Sequence, residues 1–295
     1  MIDLHMHTTA SDGRLTPAEL VGRAAAAGLT TISVTDHDTV AAIDEVTAAA
    51  ESAGIRVIPG IEITSVDSGR DVHMLGYLFD QSSEKLLELL VKQRALRVSR
   101  VREIADRLAA LGMFVDADSV IAAAASRPGS SVGRPQLARA LVRAGHVASV
   151  QQAFDQWLAT GCPAFVPRTG PSPAMVIDAI HEAGGVASFA HPGVTKRDDL
   201  IAPLIDRGLD AIEAYHSDHT PEDVAEYRNM AIRFNALVSG GSDFHGEDPA
   251  SAKATGGKPG QPGRRHRSTF GVICLPPAAL AALEQRAHLR QAAKP

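Results

Sequence analysis

"LTPAELVGRAAAAGLTTISVTDHD", residues 15–38, holds one helix, one strand and a short join. Thr16 is placed to cap the helix, Pro17 suits its first turn, Glu19 completes a capping box, and Gly28 ends it. β-Branched residues then take over in "TTISVTDHD", as expected of a buried strand. The same alternation continues outward: helix over "TVAAIDEVTAAAESAG" (39–54), strand over "IRVIPGIEIT" (55–64). It resumes downstream with helix at 172–185, strand at 186–192, helix at 197–208, strand at 209–217, helix at 220–235, and strand plus loop at 236–245. Alternating β and α elements with short joins predict an α/β fold, a parallel sheet or barrel wrapped in helices.

Between these halves the strand signals vanish. Residues 82–112 read as one long charged helix, followed by shorter helical pieces broken at "SRPGSSVGRP" (126–135). The chain is therefore expected to comprise an α/β domain over 1–81 and 162–295, with a helical insertion over 82–161 acting as a cap. Residues 248–271 are rich in Gly, Pro and basic side chains without periodicity, and are expected to form an exposed loop; its run Arg264 to Arg267 is expected to be solvated.

At 295 residues, with 45% hydrophobic and 21% charged, the chain can bury a large core. A net charge of -5 and a pI near 6.2 argue against a general basic surface for duplex nucleic acid and favour a small anionic partner. No apolar run reaches the roughly 20 residues that span a bilayer, and the first residues lack a secretory pattern. A cytoplasmic protein without a membrane partner or an obligate protein partner is expected. Cys162 and Cys274 are too few and too far apart for a disulfide framework.

Polar residues recur where strands end: His5 and His7 after "IDL", Asp36 and His37 after "TISVT", Glu62 in "GIEIT", His73 in "DVHMLGY", His191 after "ASFA", Asp243 and His245 in "GSDFH". In a parallel α/β barrel these ends converge on one rim. His5 and His7, two apart on a strand, share a face. Six of the 12 histidines fall in this pattern, most beside an acidic residue, which makes a common metal site the better reading than separate surface histidines. His, Asp and Glu without Cys suit Mn, Fe or catalytic Zn, and several carboxylates suggest more than one ion.

In that order, "DLHMHTTASDG", "TDHDT", "PGIEIT", "VHMLGY", "FAHPG" and "GSDFHG" resemble the signature of the polymerase and histidinol phosphatase (PHP) family of metal-dependent phosphoesterases, over Asp3 to Gly246. The insertion, with "SSVGRPQLARALV", resembles the branch acting on nucleoside 3',5'-bisphosphates and on short oligonucleotides from the 5' end. The resemblance implies a distorted seven-stranded (β/α) barrel. It implies one ion on His5, His7, Glu62 and Asp243, a second on Glu62, His73 and His191, and a third on Asp12, His37 and His245. Glu62 would be the bridging carboxylate, and the ions, two or three per chain, are expected to be Mn2+, with Zn2+ or Fe2+ as alternatives. Asp3, Asp36 and Asp38, beside ligands, are expected to orient the histidine rings.

The expected activity is metal-dependent removal of the 3'-phosphate from nucleoside 3',5'-bisphosphates, with 5'-to-3' trimming of short oligonucleotides as a further activity. Glu62, His191 and His37 are the expected catalytic residues, either ring being a candidate proton donor to the leaving oxygen. Arg134, in the cap, offers a forked donor for phosphate; Lys196, Arg197, His216 and His219 are secondary phosphate candidates. The alternatives are a histidinol-phosphate-type phosphomonoesterase, against which the insertion counts, and a non-catalytic PHP interaction module, in which lost ligands would be expected.

Overall fold

Thr16 caps the first helix as its sequence requires: its backbone N–H donates to the Glu19 carboxylate at 2.8 Å, and its hydroxyl accepts from the Glu19 amide. The structure is a computed structural model describing residues 1–125, 127–246, 271 and 273–293. Its first half comprises β1 (Ile2–Asp3), α1 (Pro17–Ala26), β2 (Thr31–Ile32), α2 (Ile43–Ala53), β3 (Arg56–Val57), β4 (Gly60–Asp67) and β5 (Arg70–Tyr77). A helical stretch follows: α3 (Glu84–Ala110), α4 (Ala117–Ala124), α5 (Arg134–Arg143) and α6 (Val150–Ala153), the last continuing into a π-helical turn at Phe154–Leu158. Then come α7 (Pro173–Glu182), β6 (Val186–Phe189), α8 (Pro192–Thr195), α9 (Ile201–Asp206), β7 (Ala211–His216), α10 (Pro221–Arg233), β8 (Leu237–Gly241) and α11 (Pro277–Ala292).

The strands form one sheet of three, ordered β1-β2-β3, and one of five, ordered β4-β5-β6-β7-β8. Neither closes on itself, so the described strands do not draw the seven-stranded ring that the resemblance implies. The expectation of a parallel sheet also needs correction. β5 runs antiparallel to both β4 and β6, because Ser68 and Gly69, with φ of 49° and 75°, turn the chain back in a tight hairpin. Parallel pairing holds within the first sheet and across β6-β7-β8.

The sheets meet at both edges. The Leu4 amide donates to the Gly240 carbonyl at 3.2 Å, and Met6 bridges to Phe244 in parallel. On the other side His37 bridges to Glu62, and the Asp38 amide donates to the Glu62 carbonyl at 2.9 Å. Gly241 permits the first junction, since a Cβ there would overlap the backbone nitrogen of His5.

The helices cover the sheets through apolar clusters. Ile61, Ile63, Met74 and Phe189 pack against Val176, Ile177 and Ile180 of α7 and Leu86 and Leu90 of α3. Farther along α3, Val101, Ile104 and Leu108 belong to a separate cluster with Leu137, Leu141 and Leu158. One 27-residue helix therefore starts on the sheet and ends as the spine of the helical stretch. Residues 248–270, including the basic run Arg264 to Arg267, lie outside the described residues. Among the described residues no helix is long and apolar enough to cross a membrane.

Candidate metal centre

The two junctions bring the ends of β1, β2 and β8 over Glu62 of β4. His5 and His7 leave β1 on one face, while Met6 between them turns to an apolar cluster with Leu20 and Ile32. Asp12 is carried on a loop held by the Ser11 hydroxyl, which donates to Asp36 at 2.6 Å, and by the Arg14 amide, which donates to the His245 carbonyl at 2.9 Å. His37 follows β2, His73 lies within β5, His191 follows β6, and Asp243 and His245 follow β8.

All nine expected ligands converge. Glu62 is at the centre, and its two oxygens face different partners. Oε1 lies 2.7 Å from His73 Nδ1 and 3.0 Å from His191 Nε2; Oε2 lies 3.4, 3.3 and 3.1 Å from His5 Nε2, His7 Nε2 and His37 Nδ1. Asp243 Oδ1 closes the second set, 3.4 Å from His5 Nε2 and 3.1 Å from His7 Nε2. Asp12 stands opposite, 3.1 Å from His245 Nε2 and 3.8 Å from both His7 Nδ1 and His37 Nε2. The donor atoms of His5, His7, Glu62 and Asp243 lie within 4.8 Å of one another, as do those of His7, Asp12, His37 and His245, and those of His37, Glu62 and His73.

This donor set fits divalent cations. His7 Nε2 and His37 Nδ1 are buried without a hydrogen-bond partner, although carboxylate oxygens stand close by; they aim at shared space and not at one another. Burial alone would push the Glu62 carboxyl up, but the rings of His37, His73 and His5 and the bond from His191 hold it well below the carboxylate range. Burial opposes charge on His7, yet the neighbouring Asp243 and Glu62 carboxylates lift it to about 10. Burial carries His37 the other way, well below an ordinary imidazole. The crowded carboxylates thus demand positive charge that protons on rings only partly meet, which is the demand a cation satisfies. His191 and Asp243 also adopt left-handed backbone, with φ of 29° and 53°, conformations that persist in non-glycine residues only where surrounding contacts enforce them.

The aspartates expected to orient rings do other work. Asp3 accepts the backbone N–H groups of His5 and Ser242 at 3.2 and 2.9 Å, Asp36 accepts from Thr8 and Ser11, and Asp38 accepts from Thr64 and Arg97. They fix backbone and loops. The carboxylate on a ring is instead Glu213 of β7, fully buried, with Oε1 2.8 Å from His5 Nδ1. Reading the sequence passes over it, because one Glu in "LDAIEAYHS" resembles ordinary alternation toward solvent.

Two secondary phosphate candidates are relocated by the fold. His216 is fully buried with Nε2 3.4 Å from Asp243 Oδ2, grouped with His5 and Glu213. Both ring nitrogens of His219 are engaged, Nδ1 with the Ala214 carbonyl at 2.9 Å and Nε2 accepting the Gly193 N–H at 3.2 Å, so it braces the turn after His191 and offers nothing to phosphate. Lys196 is exposed at the end of α8. Arg197 is paired with Asp67 at 2.8 Å and Asp199 at 2.9 Å.

Arg134 is the first residue of α5, so the break read at residues 133–135 is a helix start. Its side chain is 22% exposed, and its guanidinium stands over the Phe154 and Phe165 rings and reaches to 3.5 Å from Asp71 Oδ2. Arg168, which sequence reading missed, lies 3.4 Å from the same oxygen. Asp71 and His73, two apart on β5, project from the same face, which sets the carboxylate that holds these two arginines about 7 Å along the strand from a candidate ligand.

Comparison with known proteins gives one family and several relatives. Residues 3–160 match the PHP domain family. The chain is 39% identical over 249 residues to a 5'-3' exoribonuclease of Haemophilus influenzae, covering 82% of this chain and 89% of that protein. It is 33% identical over 286 residues to a 3',5'-nucleoside bisphosphate phosphatase of Chromobacterium violaceum, covering 93% and 94%. A crystal structure from Bifidobacterium adolescentis, described as that of a metal-dependent phosphoesterase, superposes with a TM-score of 0.83 at 32% identity, covering 97% of this chain and 96% of that one.

Proposed function

Because the chain belongs to the PHP domain family and is a phosphoester hydrolase, we propose that it removes the 3'-phosphate from nucleoside 3',5'-bisphosphates and, by the same cleavage at a 3'-ester, shortens small 5'-phosphorylated oligonucleotides. The observation that carries this reading is the pairing of two features: nine potential ligands centred on Glu62, and Arg134 with Arg168 at Asp71, which shares a face of β5 with His73. One end takes the reacting phosphate and the other takes the phosphate that stays. Small nucleotides or short oligonucleotides, not duplexes, suit a chain of net charge -5 whose cations are local.

Residues His5, His7, Glu62 and Asp243 would hold one ion, Glu62, His73 and His191 a second, and Asp12, His37 and His245 a third, with Mn2+ the ion favoured by a nitrogen and oxygen donor set. When bound, such ions supply positive charge for the phosphoryl oxygens and a water acidified toward neutrality. Glu62 sets the spacing between the two sides of the site, because each of its oxygens serves a different group of rings. His37 Nδ1 and His191 Nε2 both face Glu62, so these two rings are held in place by the same carboxylate. Arg134 and Arg168 orient the nucleotide through its 5'-phosphate, so binding energy at the remote group positions the scissile one.

The same reading includes the fold. With Pro59 taken as a break in one strand, β3 and β4 count together, eight strands become seven, and the junctions between the sheets complete a barrel. A histidinol phosphatase leaves Arg134 and Arg168 without a phosphate to hold.

Arg134→Ala is expected to lower kcat/KM for a 3',5'-bisphosphate about ten- to a thousand-fold, equivalent to roughly 1.5–4 kcal/mol for a charge-assisted contact. On a nucleoside 3'-monophosphate the change should be small, since the contact is already absent. Equal losses on both substrates would place Arg134 on the reacting phosphate or in support of the fold. The substrate itself is tested by phosphate release from a 3',5'-bisphosphate, a 5'-nucleotide and histidinol phosphate; faster release from histidinol phosphate would overturn the reading.

A further inference from the structure

Glu213 sits in the middle of β7 with no exposure, and both of its oxygens are used by residues on the metal rim. Oε1 is 2.8 Å from His5 Nδ1, and Oε2 accepts the backbone N–H of His191 at 2.6 Å. The register of β7 against β8 shifts between Glu213 and Tyr215, a bulge. An unbroken strand would turn residues three apart to opposite faces; the bulge lets Glu213 and His216 come to the same side, where their donor atoms and that of His5 lie within 4.8 Å. Those three residues do not need an ion of their own. His5 already directs Nε2 toward Glu62 and Asp243, so a second ion on Nδ1 would require the ring to give up both protons.

We infer that Glu213 is a positioning residue that fixes the histidines of two different ion sites at once: it holds the proton of His5 on Nδ1, leaving Nε2 free to bind an ion, and it anchors the left-handed backbone of His191. This rests on the reading of His5 and His191 as ligands. The carboxylate does this because both of its neighbours are N–H donors and an ionised carboxylate is a pure acceptor. His191, with φ of 29° immediately before Pro192, needs an outside partner for its N–H, and Glu213 Oε2 is that partner. A single side chain therefore keeps the ring from β1 and the ring after β6 in fixed relation across Glu62.

Glu213→Gln tests this while keeping size and burial. The amide oxygen can still serve the His191 N–H, but the amide NH2 must then face His5 Nδ1. The ring is driven to accept there and to carry its proton on Nε2, the nitrogen required for the ion. Binding of Mn2+ alone, measured by calorimetry and by metal content per folded chain, should weaken about 10- to 100-fold, whereas circular dichroism and thermal unfolding of the chelated protein should change little. Glu213→Asp, which keeps the charge but shortens the reach, should recover part of the affinity. Unchanged Mn2+ affinity in Glu213→Gln would overturn the inference, as would a lower unfolding midpoint with full metal content per folded chain, which is the mark of a merely structural role. A second measurement needs no variant: in Zn2+-loaded wild type with 15N-labelled histidine, His5 should carry its proton on Nδ1, and a proton on Nε2 would refute the assignment. If the wild type binds no divalent ion, the ligand reading itself fails; if it binds normally and the variant matches it, only the role of Glu213 fails.

Discussion

Glu62→Gln is expected to lower turnover by about three orders of magnitude or more and to reduce the metal content of the purified protein. The substitution keeps shape and burial but replaces one oxygen by an NH2 that cannot ligate. In one orientation that NH2 faces His73 and His191; in the other it faces His5, His7 and His37. Either way one side of the site loses its shared anion, and the rings on that side are left to hold a cation without it. Metal analysis and phosphate release on the same sample decide it. Normal metal content with normal turnover would remove Glu62 from the centre of the account.

The second large effect is on stability, at the opposite end of the strands. Asp210, 1% exposed just before β7, accepts from Arg286 Nη1 at 2.9 Å, Arg290 Nη1 and Nη2 at 3.0 and 2.9 Å, the Ala187 amide at 3.0 Å, and His181 Nε2 at 2.8 Å. It ties α11 and α7 to β6 and β7. Asp210→Asn leaves the guanidinium groups without their counter-charge, and should cost about 2–3 kcal/mol, at or below the lower end of the range for fully buried pairs because both arginines keep some contact with water. Despite the cost of burial, the bonds from His181, Arg290 and Ala187 hold the Asp210 carboxyl well below its ordinary value. A depressed carboxylate stabilises the folded state fully above its unfolded pKa near 4, and that contribution fades as pH falls from there toward the folded value. Denaturant unfolding should accordingly show a constant gap between variant and wild type at neutral pH that narrows below about pH 4. Turnover at low temperature should be unaffected. A stability equal to wild type at pH 7 would show that the arginines are adequately served by water.

The cluster around Glu62 was legible because its residues interrupt apolar runs at the ends of strands that the sequence places in one α/β fold. His5, His7, His37, His191, Asp243 and His245 are all of this kind, and each is found at Glu62 or Asp12. His73 comes to Glu62 for a different reason. It lies within a strand that runs against its neighbours, and the signal for that reversal, "DSG" between two alternating runs, was available in the hairpin at Ser68 and Gly69. What a single sequence does not carry is pairing across the fold. Asp36 and Asp38 adjoin a candidate ligand in sequence yet hold backbone and Arg97, whereas Glu213, far from His5 along the chain, holds its ring. The bulge that groups Glu213 with His216 depends on the register with β8, and the engagement of His219 depends on the Gly193 N–H. Arg134 was visible through its Gly and Pro neighbours; Arg168, in an unpatterned stretch, became visible only beside Asp71.

Phosphoester hydrolysis here is expected to depend on divalent ions held by the residues around Glu62. The direct measurement is phosphate release from a nucleoside 3',5'-bisphosphate by protein stripped with chelator, followed by titration with Mn2+. The stripped protein should show no turnover, recovery should saturate with bound Mn2+ at more than one ion per chain, and the protein should stay folded throughout, since a domain of this size has a core that does not need ions. Full activity in protein free of metal would contradict it.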